Sequence, residues 1–83
     1  MDNRNELYLN IEKLHTTEMG MDRIKRNLCL DTSDVIFWCK NKIKNKNCSI
    51  IRKGKNWYVT INDIIITINA YSYTIITAHK IKK

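Results

Sequence analysis

From Cys48 onward the apolar residues of this chain alternate with polar ones, β-branched side chains dominate, and no proline interrupts the run. A period of two sends successive side chains to opposite faces of a strand. Gly54-Lys55 and Asn62-Asp63 are dipeptides suited to two-residue hairpin turns, and Tyr71-Ser72 is a weaker third. Four strands result, and the turns set their register. Ile50 then faces Val59, Arg52 faces Trp57, Ile61 faces Ile64, Val59 faces Ile66, Trp57 faces Ile68, and Ile68 faces Ile75. One face becomes nearly all apolar: Cys48, Ile50, Trp57, Val59, Ile61, Ile64, Ile66, Ile68 and Ile75. A slip of one residue would scatter these side chains over both faces, so the uniform face supports the pairing. The opposite face collects Ile51, Tyr58, Thr60, Ile65, Thr67, Asn69, Thr74, Ile76 and Ala78, and nothing else in the chain remains to bury it. His79 falls opposite Ile64, at the edge of the core face.

The first half has a helical period instead. Leu7, Ile11 and Leu14 share one stripe, which predicts a helix over about 4–15. Thr16 or Thr17 offers an N-cap to a second helix whose apolar stripe is Met21, Ile24 and Leu28, with Asp22 and Arg26 placed to pair outside. Asp31, Thr32, Ser33 and Asp34 form a capping segment ahead of Val35, Ile36, Cys39 and Ile43, so a third helix is expected over about 33–45. At 83 residues the chain is too short for two self-sufficient cores. The predicted fold is one α+β domain, residues 1–46 supplying three N-terminal helices packed on one face of a four-stranded antiparallel β-meander formed by residues 47–83. A DNA-reading helix-turn-helix is disfavoured. Lys25 stands where close helix crossing wants a small residue, Cys29 replaces the turn glycine, and Asp31 and Asp34 would repel phosphates beside Ile36 and Phe37.

Charge divides along the same line. Lys+Arg 15 against Asp+Glu 8 gives a formal net charge of +7, yet residues 1–34 are slightly acidic while the acidic complement of residues 35–83 is Asp63 alone. An anionic partner would therefore meet the second half, where Lys40, Lys44, Arg52, Lys53 and Lys55 lie close in sequence to Tyr58. These six are the candidate binding residues. Lys40 and Lys44 also suit the negative end of the third helix dipole, and such a run equally serves as a solvated face.

Other chemistries find little support. Cys29, Cys39 and Cys48 are odd in number and unpaired in spacing, which points to a reduced setting in which they pack as small apolar residues. With His15 and His79 far apart, no metal or other cofactor is implied. No apolar run reaches the ~18 residues of a membrane span, and Met1 to Glu6 is no basic leader, so a soluble cytoplasmic protein without membrane contact is expected. Gly20 and Gly54 are isolated, which excludes a phosphate loop or nucleophile elbow. His15 serves most simply as a dipole-complementing helix cap, Trp38 and Trp57 as core, and Arg52 as a cation stacked on Trp57. No catalytic residue is assigned, although His79, Tyr73 and Arg52 are the types that serve metal-free RNA cleavage.

Four stretches carry a resemblance that covers nearly the whole chain: Leu14-His15-Thr16-Thr17-Glu18-Met19-Gly20, Asp34-Val35-Ile36-Phe37-Trp38-Cys39-Lys40, Lys53-Gly54-Lys55-Asn56-Trp57-Tyr58-Val59-Thr60, and Asn69-Ala70-Tyr71-Ser72-Tyr73-Thr74-Ile75-Ile76-Thr77-Ala78-His79-Lys80. They resemble a small bacterial family known as domain of unknown function 3781. That resemblance implies no activity and carries over no catalytic residue. A looser architectural similarity links the layout to compact ribonuclease toxins of the RelE/colicin type, and fold does not determine function. The expectation is a small, basic, non-catalytic binding protein that engages RNA or a nucleoprotein complex. The alternatives are a phage or mobile-element inhibitor of a host defence complex, anti-CRISPR-like and acting by protein contact, or a ribonuclease toxin. The uncovered sheet face could also serve a homodimer.

Overall fold

The computed structural model describes residues 3–32 and 34–81. Among these, α1 (Asn3–Leu9), a 3-10 turn (Ile11–Lys13), α2 (Glu18–Leu28) and α3 (Val35–Lys44) precede β1 (Ser49–Lys53), β2 (Asn56–Ile61), β3 (Ile64–Asn69) and β4 (Ile75–Lys80). The strands pair antiparallel in sequence order, a simple meander. The class is α+β.

The helices start where polar side chains replace missing backbone partners. Thr17 Oγ1 accepts from the Gly20 amide at 3.0 Å and caps α2. Asp34 accepts from the Phe37 amide at 2.9 Å and caps α3, which is shorter than the predicted 33–45. Ser33, and Met1 with Asp2, lie outside the described residues. The single helix expected over 4–15 is broken in two. Asn10 Nδ2 donates to the Glu6 carbonyl at 2.9 Å, taking an acceptor that the next helical turn would have used, and the chain tightens into the 3-10 turn. Leu7, Ile11 and Leu14 are buried all the same. At the end of α2, Cys29 adopts a left-handed conformation (φ 54°, ψ 47°), and the Leu30 amide closes back on the Lys25 carbonyl. Cys29 is exposed, contrary to its expected packing, because that left-handed cap turns it outward, whereas Cys39 and Cys48 are buried.

All six strand pairings expected from the turns are present: Ile50 with Val59, Arg52 with Trp57, Val59 with Ile66, Trp57 with Ile68, Ile61 with Ile64, and Ile68 with Ile75. Asn62 and Asp63 both take positive φ (50° and 64°), as a two-residue hairpin turn requires. The third turn is longer than a Tyr71-Ser72 dipeptide. It runs through Ala70 to a left-handed Tyr73 (φ 60°). Beyond it the register shifts at Thr67/Ile68, where β4 carries the extra residue Ile76. The bulge inverts the faces that follow. His79 pairs with Ile65 and is exposed, not opposite Ile64 as expected, and Ala78 turns inward to complete burial.

Leu7, Ile24, Val35, Cys39 and Ile43 from the helices join Trp57, Val59, Ile66, Ile68, Ile75 and Ala78 from the sheet in one core. Helix α2 packs along β4 and α1 against β1. The outer edge of β4 is tied down as well. His15 forms a parallel bridge with Thr74, Thr16 Oγ1 donates to the Ile75 carbonyl at 2.8 Å, and Asn27 Nδ2 donates to the Ala78 carbonyl at 3.3 Å. His15 does not cap a helix as expected, because the 3-10 turn ends at Lys13: its ring bonds the Lys13 carbonyl and Thr74 Oγ1, both at 2.9 Å.

Candidate nucleic-acid interface

The six candidate residues do not form one surface. Lys40 and Lys44 ride on α3, whose Val35, Cys39 and Ile43 lie in the core. Lys40 is also paired, its Nζ lying 3.5 Å from Glu12 Oε2. Neighbouring Lys42 sits 5.3 Å over the Trp38 ring. Lys53 and Tyr58 belong to the other face of the sheet, with Ile51 and Thr60, where alternation along β1 and β2 places them. Tyr58 is half-buried there, and its hydroxyl accepts from Asn56 Nδ2 at 3.4 Å.

The turns bring a different set together. In an antiparallel meander the first and third turns share one end of the sheet and the second turn lies at the other. Asp63, in the second turn, is therefore about one strand length, roughly 20 Å, from Lys53 and Lys55. At the basic end the Arg52 guanidinium lies between two rings, 5.7 Å from Trp57 and 5.6 Å from Tyr71, while its Nε donates to the Gly54 carbonyl at 3.0 Å. The expected stacking of Arg52 on Trp57 is present, with a second ring added. Tyr73 meets Trp57 at a centroid distance of 5.3 Å, and Lys13 Nζ stands 5.6 Å over the Tyr73 ring. Cations and rings thus form one continuous chain of contacts from Lys13 through Tyr73, Trp57 and Arg52 to Tyr71. The Trp57 indole nitrogen is buried and has no hydrogen-bond partner among the described residues.

The third turn presents Tyr71 in a fixed position. Asn69 Oδ1 accepts from the Tyr71 amide, the Ser72 amide and Ser72 Oγ at 2.9, 2.9 and 3.2 Å. The Ala70 amide donates to the Lys55 carbonyl at 2.7 Å, bonding one turn to the other. Tyr71 nevertheless remains 73% exposed. The sequence places Tyr71 in a turn, but its partnership with Arg52 is not legible there. The discernible signal is a bulky ring in a tip position, where small polar residues are usual. Lys13 left no signal at all, since tertiary packing alone brings it to a ring 60 residues away.

His79 lies elsewhere. It lines a groove of about 550 Å³ at the β4 edge with Asn27, Ile65, Lys80 and Ile81. Arg52 and Tyr73 flank Trp57 at the opposite end of the sheet, on its apolar face, so the three residues of the ribonuclease alternative do not converge. Among the described residues no group of three or more His, Cys, Asp or Glu side chains could hold a metal ion, and no helix is long and apolar enough to cross a membrane. Burial pushes the Cys39 thiol up to about 12, which keeps it protonated and unreactive.

No curated protein and no solved structure shows significant similarity to the chain. The family model described as Protein of unknown function (DUF3781) matches residues 8–79, a span that contains the cluster from Lys13 to Tyr73. With most of its length matched, including both turns of the basic end, the chain belongs to the DUF3781 family.

Proposed function

We propose that this protein is a non-catalytic cytoplasmic binding protein that engages RNA, alone or within a nucleoprotein complex, through the basic end of its sheet. The observation that carries the reading is that Arg52, Lys55, Lys13 and exposed Tyr71 lie at one end of the sheet, with Lys53 on the opposite face of the same end, while Asp63 lies at the other end. Among the described residues the salt bridge formed is Lys40 with Glu12, so the charge of this end is left for a partner. In this reading the three helices cover the apolar face of the sheet and act as scaffold, and Lys40 and Lys44 lie outside the contact. Binding through four cations gives a slope of log affinity against log salt of about −3 on a single strand, a loss of well over tenfold between about 50 and 200 mM. The test is titration of labelled RNA across that range with the parent and with Lys53→Ala/Lys55→Ala. A variant that binds as tightly as the parent, or an affinity indifferent to salt, refutes the reading.

A second reading, docking of the outer sheet face onto a protein of a host defence complex, draws support from Ile51, 58% exposed beside half-buried Tyr58. Association that survives nuclease treatment and is abolished by Ile51→Lys favours it. Association that nuclease abolishes counts against it.

A further inference from the structure

The exposed ring at the basic end has a more specific use. We propose that the ligand of this surface is a single-stranded polynucleotide, one base of which stacks on Tyr71 while neighbouring phosphates meet Arg52 and Lys55 and the strand continues past Lys53 on the opposite face of the same tip. This rests on the nucleic-acid reading above and adds the strandedness and the contact.

Tyr71 is held as a stacking platform must be. Its backbone amide and both donors of Ser72 converge on Asn69 Oδ1, the Asn69 amide bonds the Thr74 carbonyl at 2.8 Å, and the Tyr73 amide bonds the Asn69 carbonyl at 2.9 Å. An ordered backbone beneath the ring, and Arg52 against it, reduce the conformational freedom to be lost when a ligand settles there. Arg52 packs against this ring and Trp57 packs on the far side of Arg52, so a base on the exposed surface of Tyr71 extends an existing stack by one layer. The 73% exposure of so large a side chain leaves room for that layer.

Strandedness follows from shape and from what a ring can reach. The site is the protruding tip of two turns. A duplex keeps each base face covered by its neighbours and would offer this tip only phosphates, whereas an unpaired base can swing out and lie flat on an aromatic ring. The ring makes a face contact that every base can accept, so little sequence preference is expected. Lys53 and Lys55, one residue either side of Gly54, supply charge for the backbone at the same tip.

The experiment compares Tyr71→Leu, Tyr71→Phe and Lys53→Ala/Lys55→Ala on three probes: a short unstructured RNA, the DNA of the same sequence, and the RNA duplexed with its complement. Circular dichroism confirms that each variant is folded. Tyr71→Leu is expected to weaken single-strand binding by about 5- to 150-fold while Tyr71→Phe binds like the parent. The duplex, already weaker, is expected to be unaffected by either change. A Tyr71→Leu variant that binds the single strands as the parent does, while the double lysine variant does not, overturns the stacking proposal and leaves the basic-surface reading standing. Duplex binding equal to or tighter than single-strand binding overturns the strandedness. Failure of the parent to bind any of the three overturns the reading beneath. Parallel behaviour of the RNA and DNA strands shows that the shared base and phosphate chemistry is what is read, and RNA preference adds a 2′-hydroxyl contact to it.

Discussion

The Ala70 amide and the Lys55 carbonyl, 2.7 Å apart, extend the ladder between β2 and β3 one step past the pair of Asn56 and Asn69. That extra step is why the third turn lies over the first and why Tyr71 reaches Arg52. Asn69 holds the remainder of the turn, with one carboxamide oxygen serving three donors. Asn69→Ala leaves those donors to solvent and is expected to cost about 1–2 kcal/mol in urea denaturation. Asn69→Asp keeps the acceptor and is expected to recover most of that loss.

The bulge at Ile76 makes opposite demands of two adjacent residues. Ala78 is fully buried and His79 is exposed, where a regular register would have reversed them. Ala78→Glu is expected to destabilise by at least about 3 kcal/mol, a large share of the stability of a domain of this size, because it places an unpaired carboxylate in the core. His79→Glu is expected to shift the thermal midpoint only slightly. An Ala78→Glu variant as stable as the parent, beside a His79→Glu variant destabilised by several kcal/mol, would favour the regular register.

Gly20 is needed for its missing side chain. A Cβ there would collide with Thr16 Oγ1, which is committed to the Ile75 carbonyl at 2.8 Å, and would press on Thr17 Oγ1 at 3.2 Å. Alanine ordinarily favours a helix over glycine by up to about 1 kcal/mol. Here the collision outweighs that gain, and Gly20→Ala is expected to be destabilising by about 1–2 kcal/mol net. Thr16→Ala/Gly20→Ala removes the obstructing hydroxyl and is expected to be more stable than Gly20→Ala alone.

Three cysteines predict three reactivities in the folded state. Cys29 is exposed, Cys48 is buried with its thiol donating to the Ile43 carbonyl at 3.2 Å, and Cys39 is fully buried with its thiol pushed up to about 12. Mass spectrometry after brief alkylation near neutral pH is expected to find a single adduct, on Cys29. Because Cys39 binds its proton more tightly folded than unfolded, its contribution to stability is complete below about 9.0 and is lost as pH rises toward about 12. Cys39→Ala is therefore expected to fall in stability less steeply than the parent across that alkaline range, measured by urea denaturation at each pH.

Local physics was enough for the elements and for most of the register. Gly54-Lys55 and Asn62-Asp63 have turn chemistry of their own, and Thr17 and Asp34 have hydroxyl or carboxylate oxygens that cap whichever helix follows them. The alternation on either side of those turns then admits one pairing that gathers Trp57, Val59, Ile66 and Ile68 on a single face. The break at Asn10 and the bulge at Ile76 were not legible in the same way. Each depends on competition between nearly equal backbone arrangements, which packing against the rest of the molecule decides.

The candidate site divides likewise. Its charge, and the placement of Lys53 and Lys55 at a hairpin tip, follow from composition and turn chemistry that act over a few residues. Tertiary structure alone paired Lys40 with Glu12, brought Lys13 to Tyr73, and set Tyr71 on Arg52. Contacts between distant segments depend on how helices and turns settle on a common core, and alternation, caps and charge counts describe neighbours along the chain rather than neighbours in space.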